Sequence, residues 1–171
     1  VARSGLKVVI IDCDVRRRSA SRNLADKVDL GAIDVIQKTT TLDRALMLDE
    51  ASGAYMLLQR AVAPQDYDLI SSREMKSIID TLAQKFDLVV LDTAPVLPVA
   101  DARAIAALAD TTVLVVHWRK TATQVVARTL RELDQAGAKV AGTVLSQVDI
   151  RKTAMVGNDV HYYRPYEPAA G

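Results

Sequence analysis

Two acidic motifs stand where apolar runs of the chain end. In the first, the run VVII is followed by Asp12 and Asp14, one residue apart, and then by Arg16. In the second, the run LVVL is followed by Asp92. Carboxylate oxygens are the ligands that Mg²⁺ prefers, and a carboxylate can also accept a proton from a substrate. The two motifs therefore point to a divalent cation held at the ends of two strands.

The charges themselves favour the same interpretation. Several carboxylates close together repel one another and raise each other's pKa, so they need a counter-charge, which a cation with bound phosphates would supply. A structural alternative stays open for each motif taken alone, because an aspartate after a strand often caps the next helix and nearby arginines are often solvated. Two such strand ends in one short chain favour the cation.

Five segments are predicted to be β-strands. They are short and rich in β-branched residues, and three of them lack alternation, as is typical of strands that are buried on both faces of a parallel sheet. These three are residues 7–12, 87–92 and 111–117, and the two further strands are residues 54–59 and 139–146.

Helical patterns lie between these strands. One begins at a capping box formed by Ser71 and Glu74, after which apolar residues recur at helical spacing. Two more predicted helices cover residues 101–109 and 121–137, the second ending at Gly137. Because strands and helices alternate, we expect one α/β domain over residues 1–149, a doubly wound, mostly parallel sheet flanked by helices. Ligands of such sheets bind at the carboxyl ends of the strands, where the acidic motifs lie.

The composition excludes several classes of protein. The 22 Lys and Arg residues are balanced by 21 Asp and Glu residues, so no overall field attracts nucleic acid or an anionic membrane. Cys13 is the single cysteine, which excludes an internal disulfide and suits a reducing compartment. No apolar run approaches the length of a membrane span, and residues 1–5 show no signal-peptide pattern. We therefore expect a soluble cytoplasmic chain.

The last part of the chain, residues 150–171, has no periodicity and is expected to be a flexible tail. Three of the five tyrosines of the chain cluster there, namely Tyr162, Tyr163 and Tyr166. The residues alone leave open whether this cluster is a strand or interface patch or a set of exposed functional side chains.

Several segments, in chain order, resemble the cytoplasmic domain of bacterial tyrosine kinases, which govern the chain length and export of capsular polysaccharides and exopolysaccharides. They are VVIIDCDVRRRS, SSREMKSIIDTLAQKFDLVVLDTAPVLPVADARAIAALAD and TTVLVVHWRKTATQVVARTLRELDQAGAKVAGTVLSQVD, followed by the tyrosine-bearing tail. That family belongs with the ParA-like and MinD-like P-loop ATPases. The resemblance covers nearly the whole chain and implies a P-loop NTPase-like fold, with ATP and Mg²⁺ as cofactors.

The resemblance also implies roles for individual residues. Asp12 and Asp14 match the Walker A-prime motif, which Arg16 completes, and Asp92 matches Walker B. It implies that Asp12 acts near Mg²⁺ and a tyrosine hydroxyl, that Asp14 positions a lysine of the phosphate loop, and that Asp92 holds a metal-bound water. Ser146 stands where relatives often have an asparagine that reads the base, which puts base recognition at this position in doubt.

For the tail, the resemblance implies phosphoacceptors. Tyr162, Tyr163 and Tyr166 would receive phosphate from a neighbouring subunit of a homo-oligomeric ring. The other implied partner is a membrane polysaccharide co-polymerase or adaptor segment, fused upstream or separate, with no nucleic acid. The implied location is the cytoplasmic side of the bacterial inner membrane.

One element of the family pattern is not in the chain. The Walker A loop, G-x-x-x-x-G-K-[ST], should precede the first strand, where the chain begins at Val1. Its amides and lysine hold phosphates, so we expect kinase activity of a longer parent protein rather than of this chain alone. We also expect an unpaired sheet edge beside the Walker B strand. Two alternatives remain, a MinD-like or ParA-like ATPase switch that does not phosphorylate itself and a non-catalytic scaffold of the export machinery.

Overall fold

The computed structural model describes residues 2–22 and 28–149 of the chain. The strands are β1 (Val8–Asp12), β2 (Leu46–Asp49), β3 (Ala54–Leu57), β4 (Leu88–Asp92), β5 (Thr112–His117) and β6 (Val140–Ser146). The α-helices are α1 (Ser19–Arg22), α2 (Ala32–Ile36), α3 (Leu42–Ala45), α4 (Arg73–Ala83), α5 (Ala100–Leu108) and α6 (Thr123–Gln135), and 3₁₀ segments cover Ala2–Ser4 and Pro64–Ser71. The predicted tail, with Tyr162, Tyr163 and Tyr166, lies outside the described residues.

Within these ranges the strands form two sheets. The larger has the order β2-β3-β1-β4 and the smaller pairs β5 with β6. All pairs are parallel except β2 with β3, which form an antiparallel hairpin. The mostly parallel sheet flanked by helices is therefore confirmed, and every predicted strand is present. The four-residue strand β2 was not predicted.

The core lies against the larger sheet. β1 sits between β3 and β4, and its side chains are buried on both faces as predicted, with Val8 5% exposed and Val9 fully buried. Helix α4 contributes one apolar stripe to this core, because its apolar residues recur at helical spacing. The stripe consists of Met75, Ile78, Ile79 and Leu82.

The prediction that all three apolar strands are buried on both faces is wrong for β4 and β5. Val90 of β4 is 38% exposed, and Val113 and Val115 of β5 are 52% and 64% exposed. The strand β4 ends the larger sheet, so its outer edge pairs with no strand of the described ranges. The expected unpaired edge is thus present. The apolar composition of β4 and β5 is typical of strands that are covered on both faces. The described residues do not cover both faces of either strand.

The predicted start of α4 needs a small correction. Ser72, not Ser71, is the N-cap, and its hydroxyl oxygen accepts a hydrogen bond from the Met75 amide at 3.3 Å. The hydroxyl of Ser71 lies instead within hydrogen-bond distance of two acceptors, the Asp68 carbonyl at 3.1 Å and Asp101 Oδ1 at 2.9 Å. The helix begins one residue later than predicted because Ser71 belongs to the preceding 3₁₀ segment.

The end of α6 agrees with the prediction. Gly137 follows the helix with φ at +81°, a left-handed conformation that glycine adopts without a steric penalty.

No helix in the part of the chain that the structure describes is long and apolar enough to cross a lipid bilayer.

Candidate functional site

The structure brings the two acidic motifs together at one edge of the larger sheet. Asp12 and Asp92 are direct partners in the parallel register of β1 and β4, and neighbouring strands lie about 4.8 Å apart. The pairing continues beyond the strands, since the Cys13 amide donates to the Asp92 carbonyl at 2.8 Å. Because partners in register point to the same face of a sheet, both carboxylates are on one side of this edge.

Asp12 is completely buried and held by hydrogen bonds on both carboxylate oxygens. Oδ1 accepts from the Asp14 amide at 3.0 Å, and Oδ2 accepts from the amide and the hydroxyl of Ser21 at 3.0 and 2.5 Å. A carboxylate has about four acceptor positions, so about one of them, on Oδ1, is left for a ligand. The Asp12 carboxylate is fixed in place rather than free to rotate.

Asp14 is also buried and closes the turn that follows β1. Its Oδ1 accepts from the Arg17 amide at 3.0 Å, and its carbonyl accepts from the Arg18 amide at 2.6 Å. Arg18 has φ at +49°, the left-handed conformation in which this turn ends. The structural alternative, an aspartate that satisfies nearby amides, thus describes part of what Asp14 does.

Asp92 differs from these two residues because it is much more exposed than they are. Partial burial, together with the charges of Asp12 and Asp14, raises the pKa of its carboxyl. Burial and the charges of Asp12 and Asp92 also raise the pKa of the Cys13 thiol far above its usual value, so this cysteine is unsuited to act as a nucleophile. The edge therefore favours a positive charge.

Arg16 extends the site away from the sheet. Its guanidinium lies 3.6 Å from Asp101 Oδ2 at the start of α5, and its guanidinium carbon is 4.8 Å from the centroid of the Tyr67 ring. Arg16 borders a cavity of about 540 Å³ between the turn after β1 and the loop that enters α5. Its lining includes Asp14, Arg17, Pro95 and Asp101.

The contacts of Arg16 with Asp101 and Tyr67 were not predicted from the sequence. The available signal was weak, because Asp101 reads as an ordinary acidic residue in the first turn of a helix.

Ser146 lies at the end of β6 in the smaller sheet, where its hydroxyl donates to the Val116 carbonyl at 3.3 Å. Its expected contact with a base stays a prediction.

The donor set at this edge suits Mg²⁺. Among residues 2–22 and 28–149, no three His, Cys, Asp or Glu side chains form a ready-made metal cage. Mg²⁺ does not require one, because it commonly keeps several waters and binds one or two carboxylates together with substrate phosphates. Asp12, with a remaining acceptor position, and the exposed Asp92 provide such a pair.

Comparisons with known proteins agree with this geometry. A family model described as an AAA domain matches residues 1–144. The tyrosine-protein kinase YwqD of Bacillus subtilis is 27% identical over 156 residues, which is 91% of this chain and 66% of that protein. The succinoglycan biosynthesis transport protein ExoP of Rhizobium meliloti is 26% identical over 155 residues, 89% of this chain and 20% of that protein. The chain thus spans less than two thirds of either relative.

Two solved structures show the same fold. The kinase domain of VpsO superimposes with a TM-score of 0.79 at 27% identity, covering 86% of this chain and 73% of that one. The septum site-determining protein MinD of Pyrococcus horikoshii, complexed with Mg-ADP, gives a TM-score of 0.69 at 22% identity, covering 84% of this chain and 59% of that one. The resemblance to bacterial tyrosine kinases is confirmed, and the likeness to MinD is a likeness of fold.

Proposed function

The chain belongs to the AAA domain family, and from this premise we propose that it is the nucleotide-binding body of an autophosphorylating protein-tyrosine kinase. The parent protein would use ATP and Mg²⁺ and would regulate the chain length and export of an exopolysaccharide or capsule. The observation that carries this proposal is the pairing of Asp12 with Asp92 in register at the carboxyl ends of β1 and β4, where such sheets typically bind ligands. The names of YwqD and ExoP support the kinase and polysaccharide parts.

Each residue at this edge would have a different role in positioning the ion and the phosphates. Bound Mg²⁺ would neutralise charge on the transferred phosphate, and in phosphoryl transfer positioning and charge neutralisation account for most of the catalysis. Asp12 would hold the ion with its remaining Oδ1 acceptor position, near the tyrosine hydroxyl, and Asp92 would hold an ion-bound water. Asp14 closes the turn that follows β1 and would orient the lysine of a phosphate loop. Arg16, which forms an ion pair with Asp101, would face the phosphates.

A phosphate loop would come from a further segment of the parent protein. The open edge of β4 and the exposed faces of Val90 and Val115 support this part of the proposal, because a strand and its helix would cover them. The activity is accordingly proposed for the parent protein and not for the isolated chain.

The remaining proposals concern assembly. Subunits would form a ring and present their tails to neighbours, next to a membrane co-polymerase or adaptor at the inner face of the membrane. Each phosphotyrosine adds about 1.5 to 2 negative charges, enough to loosen such a ring by repulsion. A MinD-like ATPase switch without self-phosphorylation is the second candidate, favoured by the likeness to MinD.

Phenylalanine at Tyr162, Tyr163 and Tyr166 separates the two candidates. In the parent protein we expect this triple variant to keep ATP hydrolysis within about twofold while losing transfer of label from γ-labelled ATP. The aromatic rings stay, and only the acceptor hydroxyls are removed. Label transfer and phosphate release are measured in the same reaction.

A matched control comes from a tyrosine of the folded body. Tyr55→Phe removes a hydroxyl from a ring that packs against Phe86, with ring centroids 5.3 Å apart, and it should leave label transfer unchanged. Full labelling of the triple variant would refute the tail as the acceptor. A parent protein that shows no binding of Mg-ATP by calorimetry would instead be a scaffold.

A further inference from the structure

A buried serine links the Asp12 carboxylate to a second strand of the sheet. Ser21 is 1% exposed and lies in α1, nine residues beyond Asp12 along the chain. Its amide and its hydroxyl both donate to Asp12 Oδ2, at 3.0 and 2.5 Å. One carboxylate oxygen of the proposed metal site is therefore held by a single residue through two hydrogen bonds.

The direction of the hydroxyl hydrogen bond is fixed by a third contact. Ser21 Oγ accepts a hydrogen bond from the Gln59 amide at 2.9 Å. An amide can only donate, and the hydroxyl has one proton, so that proton is directed at Asp12. Ser21 thus bridges the end of β1 and the segment that follows β3.

The far end of this bridge lies against the first turn of α2. Gln59 is 1% exposed, and its Oε1 accepts from the Ile33 amide at 3.5 Å, while the neighbouring Leu58 carbonyl accepts from the Ala32 amide at 3.2 Å. The first turn of α2 therefore holds residues 58 and 59 in place. Ala32 and Ile33 are fully buried. Water therefore cannot replace a hydrogen bond that is lost at these two residues.

An ion pair beside the bridge adds to the anchor. Arg60 Nε donates to both carboxylate oxygens of Asp34 at 2.9 Å, and its Nη2 donates to Oδ1 at 2.7 Å. Burial by itself raises the pKa of Asp34, but hydrogen bonds from Arg60 and the Gly31 amide and the Arg60 charge outweigh it and hold the pKa below its usual value. Asp34 therefore stays ionised, and Arg60 keeps its place next to Gln59.

We propose that Ser21 is a positioning residue for the metal site, which fixes the Asp12 carboxylate so that its free Oδ1 position faces the ion. The inference rests on the proposed function, in which Asp12 binds the ion. It adds to that function a chain of hydrogen bonds that connects α2, through Gln59 and Ser21, to the Asp12 carboxylate. Partners that orient a metal ligand typically change metal affinity by about 10- to 100-fold when they are removed.

The chain contains a matched control for this serine. At the β2–β3 turn, Ser52 donates its amide and hydroxyl to Asp49 Oδ2 at 3.1 and 2.5 Å, and its Oγ accepts from the Ala54 amide at 3.2 Å. Ser52 thus makes the same hydrogen bonds at a turn that includes neither Asp12 nor Asp92. Ser52→Ala therefore measures the effect of losing the same hydrogen bonds at a half-buried position.

The experiment measures Mn²⁺ affinity by electron paramagnetic resonance on the parent protein with ADP. We expect Ser21→Ala to weaken the affinity about 10- to 100-fold. Ser52→Ala should leave it unchanged, and Ser21→Thr, which keeps the hydroxyl, should restore most of it. If Ser21→Ala does not fold, Ser21→Cys, which replaces the hydroxyl by a somewhat larger thiol that is only a weak donor, should show the same loss. Folding is checked by circular dichroism.

A second readout does not depend on the metal. Amide hydrogen exchange at Gln59 should accelerate in Ser21→Ala and stay slow in Ser52→Ala, because only the former removes the acceptor of that amide. An affinity for Mn²⁺ that is the same in Ser21→Ala as in Ser52→Ala would overturn the positioning role, and so would an equal loss in Ser21→Thr. If the parent protein itself binds no Mn²⁺ with ADP, the proposed function fails, whereas the exchange result still reports on the bridge.

Discussion

Replacing Asp92 by Asn in the parent protein is expected to abolish tyrosine phosphorylation while leaving the protein folded. The substitution keeps the size of the side chain and removes a charge that faces the proposed ion. Loss of one such electrostatic contact to a transition state typically reduces the rate by a factor of about 100 to 1,000. Phosphotyrosine in the tail is quantified by mass spectrometry.

The same substitution should not lower the free energy of unfolding at pH 7. The raised pKa of Asp92 means that partial burial and the charges of Asp12 and Asp14 disfavour its ionised form in the folded state. Asn removes this repulsion, so stability should be unchanged or higher. Lost activity with retained stability is typical of a residue kept for function rather than for folding.

Asp110→Asn is the control, since Asp110 is exposed and lies between α5 and β5. It should retain phosphorylation and stability. Wild-type levels of phosphotyrosine in Asp92→Asn would overturn the assignment of this edge as the catalytic site. A large loss of stability in Asp92→Asn would show instead that its carboxylate has a structural role.

Gly31→Ala is expected to lower the stability of the folded chain substantially, although it adds only one methyl group. A Cβ at this position would lie 2.7 Å from the Leu58 carbonyl oxygen and 2.9 Å from Gln59 Oε1. Backbone conformation is not the reason, because Gly31 has an extended conformation with φ at −140°. Overpacking of this kind typically costs about 1 to 3 kcal/mol, and contact with a backbone oxygen places the expected loss near 3 kcal/mol.

Urea denaturation measures this loss, and Gly142→Ala provides the comparison. Within residues 2–22 and 28–149, no atom other than those of its chain neighbours lies within 4 Å of the position that a Cβ on Gly142 would occupy, so its effect should stay within about 0.5 kcal/mol. An equally small effect of Gly31→Ala would mean that α2 and the segment after β3 can separate easily. In that case the anchor proposed for Gln59 would be too soft to position Asp12.

The convergence of Asp12 and Asp92 could be predicted from the sequence because it depends on local features. Each aspartate directly follows a β-branched run, and the carboxyl ends of parallel strands share one edge of a sheet. The exposure of Val113 and Val115 could not be predicted in the same way. Strand composition reflects the environment of the complete protein, and the described residues cover only one face of β5.

Contacts between distant residues were beyond the sequence patterns. Ser21 reads as one of several polar residues after an arginine run, and only the reversal of the chain after β1 brings it to Asp12. The spacing of Ser71 and Glu74 matches a capping box. In the structure, however, Ser72 caps the helix, and the hydroxyl of Ser71 contacts Asp101. Strand β2 was missed because it is short and pairs only with β3 at the edge of the sheet.

The most direct test of the central claim is to locate the bound ion by iron-dependent cleavage of the backbone. In the parent protein with ADP, Fe²⁺ replaces Mg²⁺, and addition of ascorbate and peroxide cuts the chain next to the ion. We predict cuts after β1, at residues 12–14, and after β4, at residues 92–94, which excess Mg²⁺ suppresses and Asp92→Asn removes. Cuts at other positions, with both of these segments intact, would contradict a metal site shared by Asp12 and Asp92.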